Sequence, residues 1–215
     1  MAEQVPNLLA ITVSTRYDDI LRVIIHQNQR FFRRWYIVTH EDDMNTINVV
    51  KKANYSHIEI LYFDFYKNAT FNKGGAIQYA QKHIEQFYHN NSILILDSDI
   101  FLPDDFYSQM AKFVPQPDTV YGVSKRYDYG SYMEFIEDRN AYEYPSADNL
   151  FGFFQLYKQS PFKVYPNSQN CSQCDTAFLQ YFRHKRTLSL TVKHLGKAAT
   201  HWDGRTDTRD FLMDV

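Results

Sequence analysis

The chain has 215 residues, 44% hydrophobic and 22% charged, a make-up that fits one large folded domain and excludes a disordered or fibrous chain. Its 23 Lys and Arg nearly balance 25 Asp and Glu, and the net charge of -2 gives no electrostatic case for a nucleic-acid binder; an anionic ligand would need a metal or a few local cations. No uncharged apolar run approaches the roughly 20 residues that span a bilayer, and Met1-Ala2-Glu3-Gln4-Val5-Pro6 lacks the basic and apolar regions of a signal peptide, so the expected location is the cytoplasm, or host cytoplasm if the chain is viral.

Leu8 to Val13 reads as a buried strand, followed by a polar turn at Ser14 to Tyr17. Asp18-Asp19 then opens an amphipathic helix, with Ile20, Val23 and Ile24 on one face and Arg22 and Gln27 on the other. Carboxylates suit that first turn, where the helix dipole is positive. Trp35 to Thr39 is a second strand with His40-Glu41-Asp42-Asp43 at its end; Met44 to Ala53 is predicted helical, and Ile58 to Phe63 is a third strand. Asn72-Lys73-Gly74-Gly75 leads into a helix from Ala76 to Tyr88, with Ala80 and Ile84 inward. The run Ile93-Leu94-Ile95-Leu96 then reads as a strand covered on both faces.

Strands alternating with helices at this spacing predict an α/β fold with a mostly parallel sheet and helices on both faces. After residue 99 the alternation weakens. Asp104 to Phe113 is predicted helical, Thr119 to Ser124 a strand, and Tyr127 to Tyr144 an irregular, Tyr- and acid-rich stretch. Leu150 to Tyr157 reads as a strand, Asp175 to His184 as a helix, and Leu188 to Val192 as a short last strand. No repeat or linker divides the chain, so residues 1–215 are expected to form one domain, with a regular, nucleotide-type half (1–99) and a less regular half (100–215).

The chemistry concentrates at Asp97-Ser98-Asp99, where the aliphatic strand ends in two carboxylates one residue apart. The C-terminal lip of a central strand is where open α/β sheets bind ligands. Two like charges are costly to bury together without a cation, and paired oxygens suit a hard divalent ion that keeps positions open for phosphate. Solvated loop carboxylates are the plain alternative. A haloacid-dehalogenase-type phosphatase also sets Asp-X-Asp after an aliphatic strand, but normally after the first strand and with Thr or Val where this chain has Phe101.

A second concentration lies in the tail, Val192 to Arg205, with two histidines and several cations after a short strand. A neutral imidazole of His194 or His201 can complete a shell begun by carboxylates, and Lys197 and Arg205 can neutralise phosphate oxygens. Cys171 and Cys174 form a lone Cys-X-X-Cys, without the second pair that a structural zinc usually needs, and read as ordinary thiols or as a redox pair. The 17 Tyr, 17 Phe and 2 Trp fit core packing. Exposed members would also suit sugar rings, which keeps a non-catalytic carbohydrate-binding module among the readings.

Taken together these motifs resemble a GT-A-fold glycosyltransferase, with a small bacterial or large-virus member as the expected kind. The resemblance covers most of the chain in element order, and Asp97-Ser98-Asp99 matches the metal motif. It implies a Rossmann-like sheet, a nucleotide-diphosphate sugar such as a UDP-sugar as donor, and Mn2+ or Mg2+. Asp97 would approach the ribose or sugar with Ser98 beside it, and Asp97 and Asp99 would hold the metal, Asp99 as the direct ligand. His194-Leu195-Gly196-Lys197 resembles the C-terminal motif that supplies a further metal ligand, which favours His194 over His201. Thr12, Val13, Ser14 and Arg16 would lie near the base, with Asp43 near the base or ribose. Lys73 and Gly74 resemble the step that lies against nucleotide and phosphates. Gly152, in Asn149 to Gln155, would line the donor-sugar and acceptor pocket. Asp175 would be the base that deprotonates an acceptor hydroxyl with inversion, although the segment lacks the family's usual Glu-Asp pair. The acceptor would be a glycan, glycoprotein or small molecule.

Overall fold

The computed structural model describes residues 5–144, 152–196, 203–205 and 211. The first half alternates as its periodicity predicts: β1 (Leu8–Val13), α1 (Asp18–Asn28), β2 (Arg34–Thr39), α2 (Met44–Ala53), β3 (Ile58–Tyr62), α3 (Lys73–Phe87) and β4 (Ser92–Leu96). The second half contributes β5 (Ile100–Phe101), α4 (Phe106–Met110), β6 (Thr119–Tyr129), α5 (Tyr132–Glu137), β7 (Tyr142–Tyr144), β8 (Phe154–Lys158), α6 (Cys174–Leu179) and β9 (His184–Leu195).

The nine strands among the described residues join one sheet in the order β3-β2-β1-β4-β8-β6-β9-β5, with β7 added on β6. β1 to β4 are mutually parallel, β8 runs against β4, and β6 and β9 return to the first direction as a parallel pair. The alternation of side chains along a strand divides the core into two layers. Leu8, Ala10, Leu94 and Leu96 pack with Ile20, Leu21, Ile24 and Ile25 of α1. Leu9, Ile11, Ile93 and Ile95 pack with Ala76, Ile77, Ala80 and Ile84 of α3. The four aliphatics of β4 are therefore covered on both faces, as a strand at the centre of an α/β sheet requires.

Helix starts are fixed by side chains. Asp43 caps α2 by accepting from Thr46 N at 3.2 Å, and Asn72 caps α3 by accepting from Gly75 N at 2.7 Å. That second cap brings Lys73 to Gly75 into the helix, three residues earlier than the composition suggested. Among the described residues, no helix is long and apolar enough to cross a membrane.

The second half departs from the expected elements. The strand expected to end at Ser124 continues to Tyr129, and the stretch from Tyr127 to Tyr144 holds the end of β6, α5 and β7, which folds back antiparallel on β6. The short last strand becomes twelve residues, because β6 offers a parallel partner along the whole of β9. The same pairing shortens the helix expected from Asp175 to His184: His184 N donates to Asp118 O and enters the sheet, so α6 ends at Leu179. The helix expected from Asp104 contracts to Phe106–Met110, where Phe113 N turns back to Met110 O. Of the strand expected from Leu150, residues 150 and 151 lie outside the described residues, and pairing begins at Phe154.

Candidate active site

Asp97 extends the parity of Ile93 and Ile95, so it faces the layer of α3 and α6, and its N–H donates to Phe153 O at 3.0 Å. The first turn of α3 supplies Lys73, whose Nζ lies 2.8 Å from Asp97 Oδ1 and 3.5 Å from Asp175 Oδ2. Asp175 lies in the first turn of α6. Gln173 occupies the N-cap position, so the Asp175 carboxylate is not consumed by capping. It accepts instead from the hydroxyl of the buried Tyr165, while Gln155 Nε2 donates to its backbone oxygen at 3.4 Å. Gly152 borders this carboxylate, with its Cβ position 3.6 Å from Asp175 Oδ2.

The start of α3 reaches this place only because residue 74 is glycine. A Cβ there would stand 1.9 Å from Pro166 O, a backbone atom. Ser168 N, like Gly75 N, donates to Asn72 Oδ1, which ties the loop at 165–168 to the helix start.

Burial alone would favour the neutral amine of Lys73, but Asp175 and Asp97 hold its pKa well above the ordinary value. Burial raises Asp97 to about 6, opposed by Lys73 and reinforced by Asp175 and Asp99. For Asp99 burial also pulls upward, yet the charge and hydrogen bond of His194 win and its pKa falls below the usual carboxylate value.

The two carboxylates thus turn to different partners. Asp99 Oδ2 is 3.3 Å from His194 Nε2, and its carbonyl accepts from Leu195 N at 2.8 Å. Ser98 is buried between them. His194 Nδ1 faces Asp128 Oδ1 at 3.3 Å, and Asp128 pairs with Arg126. Burial would keep His194 neutral, but Asp99 and Asp128 raise its pKa to about 9. Asp99 Oδ1 is buried without a hydrogen-bond partner. An orphaned carboxylate oxygen next to an imidazole has the donor chemistry of a divalent-cation ligand. Among the described residues no three His, Cys, Asp or Glu side chains already converge on one ion position.

Sequence reasoning missed Tyr165, Asp128 and Arg126, and named Gln155 only as the end of the Asn149 to Gln155 segment, with no role of its own. Only their polar character inside mainly apolar strands could have drawn attention to Gln155 and Arg126. Asp128 lies in the stretch without a period.

The candidate nucleoside residues divide. Arg16 and Asp43 line a cavity of about 350 Å³ with Thr15, His40, Asp42, Met44, Asn45 and Tyr66. Arg16 takes a left-handed φ of 62°, and its N–H donates to Asp43 Oδ2 at 2.6 Å. Thr12 turns inward instead, its hydroxyl accepting from Trp35 Nε1 at 2.9 Å, and Val13 packs partly buried beside the α3 layer. Ser14 is wholly buried with an unpartnered hydroxyl.

In the tail, Arg205 makes a buried two-pronged pair with Asp19, at 2.6 and 2.9 Å, and lies 4.9 Å over the ring of Tyr17. Its charge is therefore matched at the start of α1. Lys197 and His201 lie outside the described residues. Burial pushes the thiols of Cys171 and Cys174 up to about 11 and about 12, which works against thiolate redox chemistry.

No family model matches the chain, and no curated protein matches it. Solved structures do share its architecture. A putative glucose-1-phosphate thymidylyltransferase from Bacillus anthracis, in complex with sucrose, is 10% identical over 89% of this chain and 91% of that one, with a TM-score of 0.52. Glucosyl-3-phosphoglycerate synthase from Mycobacterium tuberculosis, in complex with phosphoglyceric acid, is 7% identical over 89% and 72%, also at 0.52. HddC from Yersinia pseudotuberculosis is 12% identical over 88% and 94%, at 0.51. At such identities the likeness is one of fold, and the fold is the Rossmann-like α/β sheet shared by nucleotidyltransferases and GT-A-like proteins.

Proposed function

We propose that the chain is a metal-dependent glycosyltransferase, moving a sugar from a nucleotide diphosphate, UDP first among the candidates, to an acceptor hydroxyl. The observation that carries this reading is the buried, unpartnered Oδ1 of Asp99 beside His194, at the C-terminal lip of β4. A buried acceptor left unsatisfied costs about 1–3 kcal/mol, and a ligand there would remove that cost. Asp99, His194 and Asp97 would hold Mn2+ or Mg2+, which when bound offsets charge growing on a departing diphosphate.

The chain's own groups supply the rest. Lys73, held protonated between Asp97 and Asp175, sets a fixed positive charge at the lip where phosphates would lie. Tyr165 orients Asp175 by donating to Oδ1, and Oδ2, which faces Lys73 Nζ at 3.5 Å, would be the oxygen to take a proton from an acceptor hydroxyl. Arg16, Asp43 and Tyr66 would wall the nucleoside. A base acting on a hydroxyl favours direct displacement with inversion. The fold supports this class of reaction over the phosphatase, whose acidic motif follows a first strand, whereas β4 is the fourth in this chain.

Nucleotidyl transfer is the second reading, supported by fold likeness to the Bacillus anthracis thymidylyltransferase and by a lysine beside the acidic pair. Product analysis separates the two: UDP released from a UDP-sugar, against pyrophosphate released from a nucleoside triphosphate and a sugar phosphate. The binding test is thermal stability with nucleoside diphosphates, with and without Mn2+. At 100 times Kd a ligand stabilises by about 2.7 kcal/mol, or roughly 5–10 °C in a chain of this size. Asp99→Asn should abolish the Mn2+-dependent part of that shift while keeping the fold. A wild-type protein indifferent to Mn2+ and nucleotide, or a variant that responds as strongly as wild type, refutes the assignment.

A further inference from the structure

Behind Asp99 runs a row of charged side chains that the proposed reaction does not itself need. His194 lies between two carboxylates, with Nε2 at 3.3 Å from Asp99 Oδ2 and Nδ1 at 3.3 Å from Asp128 Oδ1. Asp128 is gripped from its far side by Arg126, whose Nη2 donates to Oδ2 at 3.0 Å and whose Nε stands 2.7 Å from Oδ1. Arg126 is in turn clamped between the rings of Tyr144 and Phe153, at 4.2 and 4.7 Å. Side-chain exposures of 16, 7, 13 and 9% along Asp99, His194, Asp128 and Arg126 put the whole row out of bulk water. Burying this many charges seldom adds stability over apolar packing, so the row needs another reason.

The strand register gives one. Along the lower part of the β6–β9 pair, Thr119 to Val123 face His184 to Leu188, an offset that would set Asp128 opposite Lys193. A bulge between Val123 and Lys125 places one extra residue in β9, held by Ser124 Oγ donating to Leu190 O at 3.0 Å, and above it Asp128 pairs with His194. A shift of one residue turns every following side chain to the other face. The bulge therefore decides that an imidazole, and not an amine, meets Asp128. Devices of this kind re-aim side chains near functional sites.

We propose that Asp128 is a positioning residue: held by Arg126, it fixes the ring of His194 so that Nε2 faces Asp99, and so sets the affinity of that carboxylate–imidazole pair for a divalent cation. A carboxylate behind a metal-ligating histidine fixes ring orientation and tautomer, and its loss typically weakens metal binding by 10–100-fold. The proposal rests on the metal-dependent reading above, and the experiment separates the two. Free Mn2+ is measured by electron paramagnetic resonance in titrations of the whole chain, without nucleotide, for wild type, Asp128→Asn and Arg126→Lys.

The expected result is an Mn2+ Kd raised at least tenfold in Asp128→Asn and by a smaller factor in Arg126→Lys, which keeps the charge but loses the fork. In both variants the donor KM should rise at limiting Mn2+ and return toward wild type at saturating Mn2+, with kcat little changed. A merely structural role would lower stability without that rescue by metal. If Asp128→Asn does not fold, Arg126→Lys decides. Wild type that binds Mn2+ alongside variants of equal affinity overturns this assignment alone; wild type that binds no Mn2+ overturns it together with the metal reading.

Discussion

Replacing Lys73 by methionine tests whether the lysine, and not water, balances the acidic face of α3 and α6. Nζ is the cationic group at 2.8 Å from Asp97 and 3.5 Å from Asp175, and both carboxylates are mostly shielded. Breaking a buried pair by removing one partner typically costs about 3–5 kcal/mol. Asp97 keeps 30% of its side chain exposed, so the lower end applies. The sign with pH follows from Asp97, whose folded pKa of about 6 lies above its unfolded value of 3.8. Folding is then favoured by protonation, and stability declines as pH rises from about 4 to 6. Without Lys73, which lowers it, the folded pKa of Asp97 moves higher still, and the decline extends further toward alkaline pH. In EDTA, urea midpoints at pH 5 and 7.5 should show Lys73→Met losing about 3 kcal/mol at pH 7.5 and clearly less at pH 5, where Asp97 is mostly protonated. An equal loss at both pH values would show that the methionine acts by packing alone and refute the charge argument.

Asp175→Asn should leave nucleotide and Mn2+ binding intact while transfer falls by a factor of 10² or more, the usual scale of a lost general base; transfer near the wild-type rate would place the base elsewhere. Gly74→Ala forces a Cβ to within 1.9 Å of the Pro166 carbonyl, an overpacking of about 1–3 kcal/mol. Calorimetry should record a Tm lower by several degrees, and an unchanged Tm would mean the loop at 165–168 yields freely. His194 has a folded pKa of about 9 against 6.5 unfolded, so its contribution is full below pH 6.5 and is lost as pH rises through 9. That amounts to on the order of 3 kcal/mol in metal-free protein. His194→Gln should flatten the alkaline limb of a urea-midpoint profile; an unaltered limb would assign it to another group.

What the sequence made legible follows the range of the interaction involved. β1 and α2 begin and end where the periodicity sets them, because a strand covered on both faces and a capped helix are specified by neighbours a few residues away. The acidic lip was legible for the same reason, since four aliphatics stop abruptly at Asp97. Lys73, by contrast, meets carboxylates 24 and 102 residues further along the chain, and no local pattern records that. β9 was under-read because its first four residues are exposed and polar, so only the partner strand reveals it. Asp128 was invisible until a bulge had been counted.

The site also answers, in an unexpected way, how two carboxylates one residue apart can share a crowded lip. They do not share one counterion. The pleat sends Asp97 toward Lys73, and the turn after it sends Asp99 toward His194, so each negative charge has its own cation. The two cations differ in what can replace them. Lys73 is held far above neutrality by two carboxylates and stays charged, whereas an imidazole can give up its proton and still serve as a ligand. Under the metal reading, Asp99 and a deprotonated His194 would supply the replaceable side of the site, and Asp97 would join them through the oxygen that Lys73 does not engage. The same asymmetry fits the buried, unpartnered Oδ1 of Asp99: Asp97 Oδ1 is engaged by a permanent cation, and Asp99 faces a replaceable one.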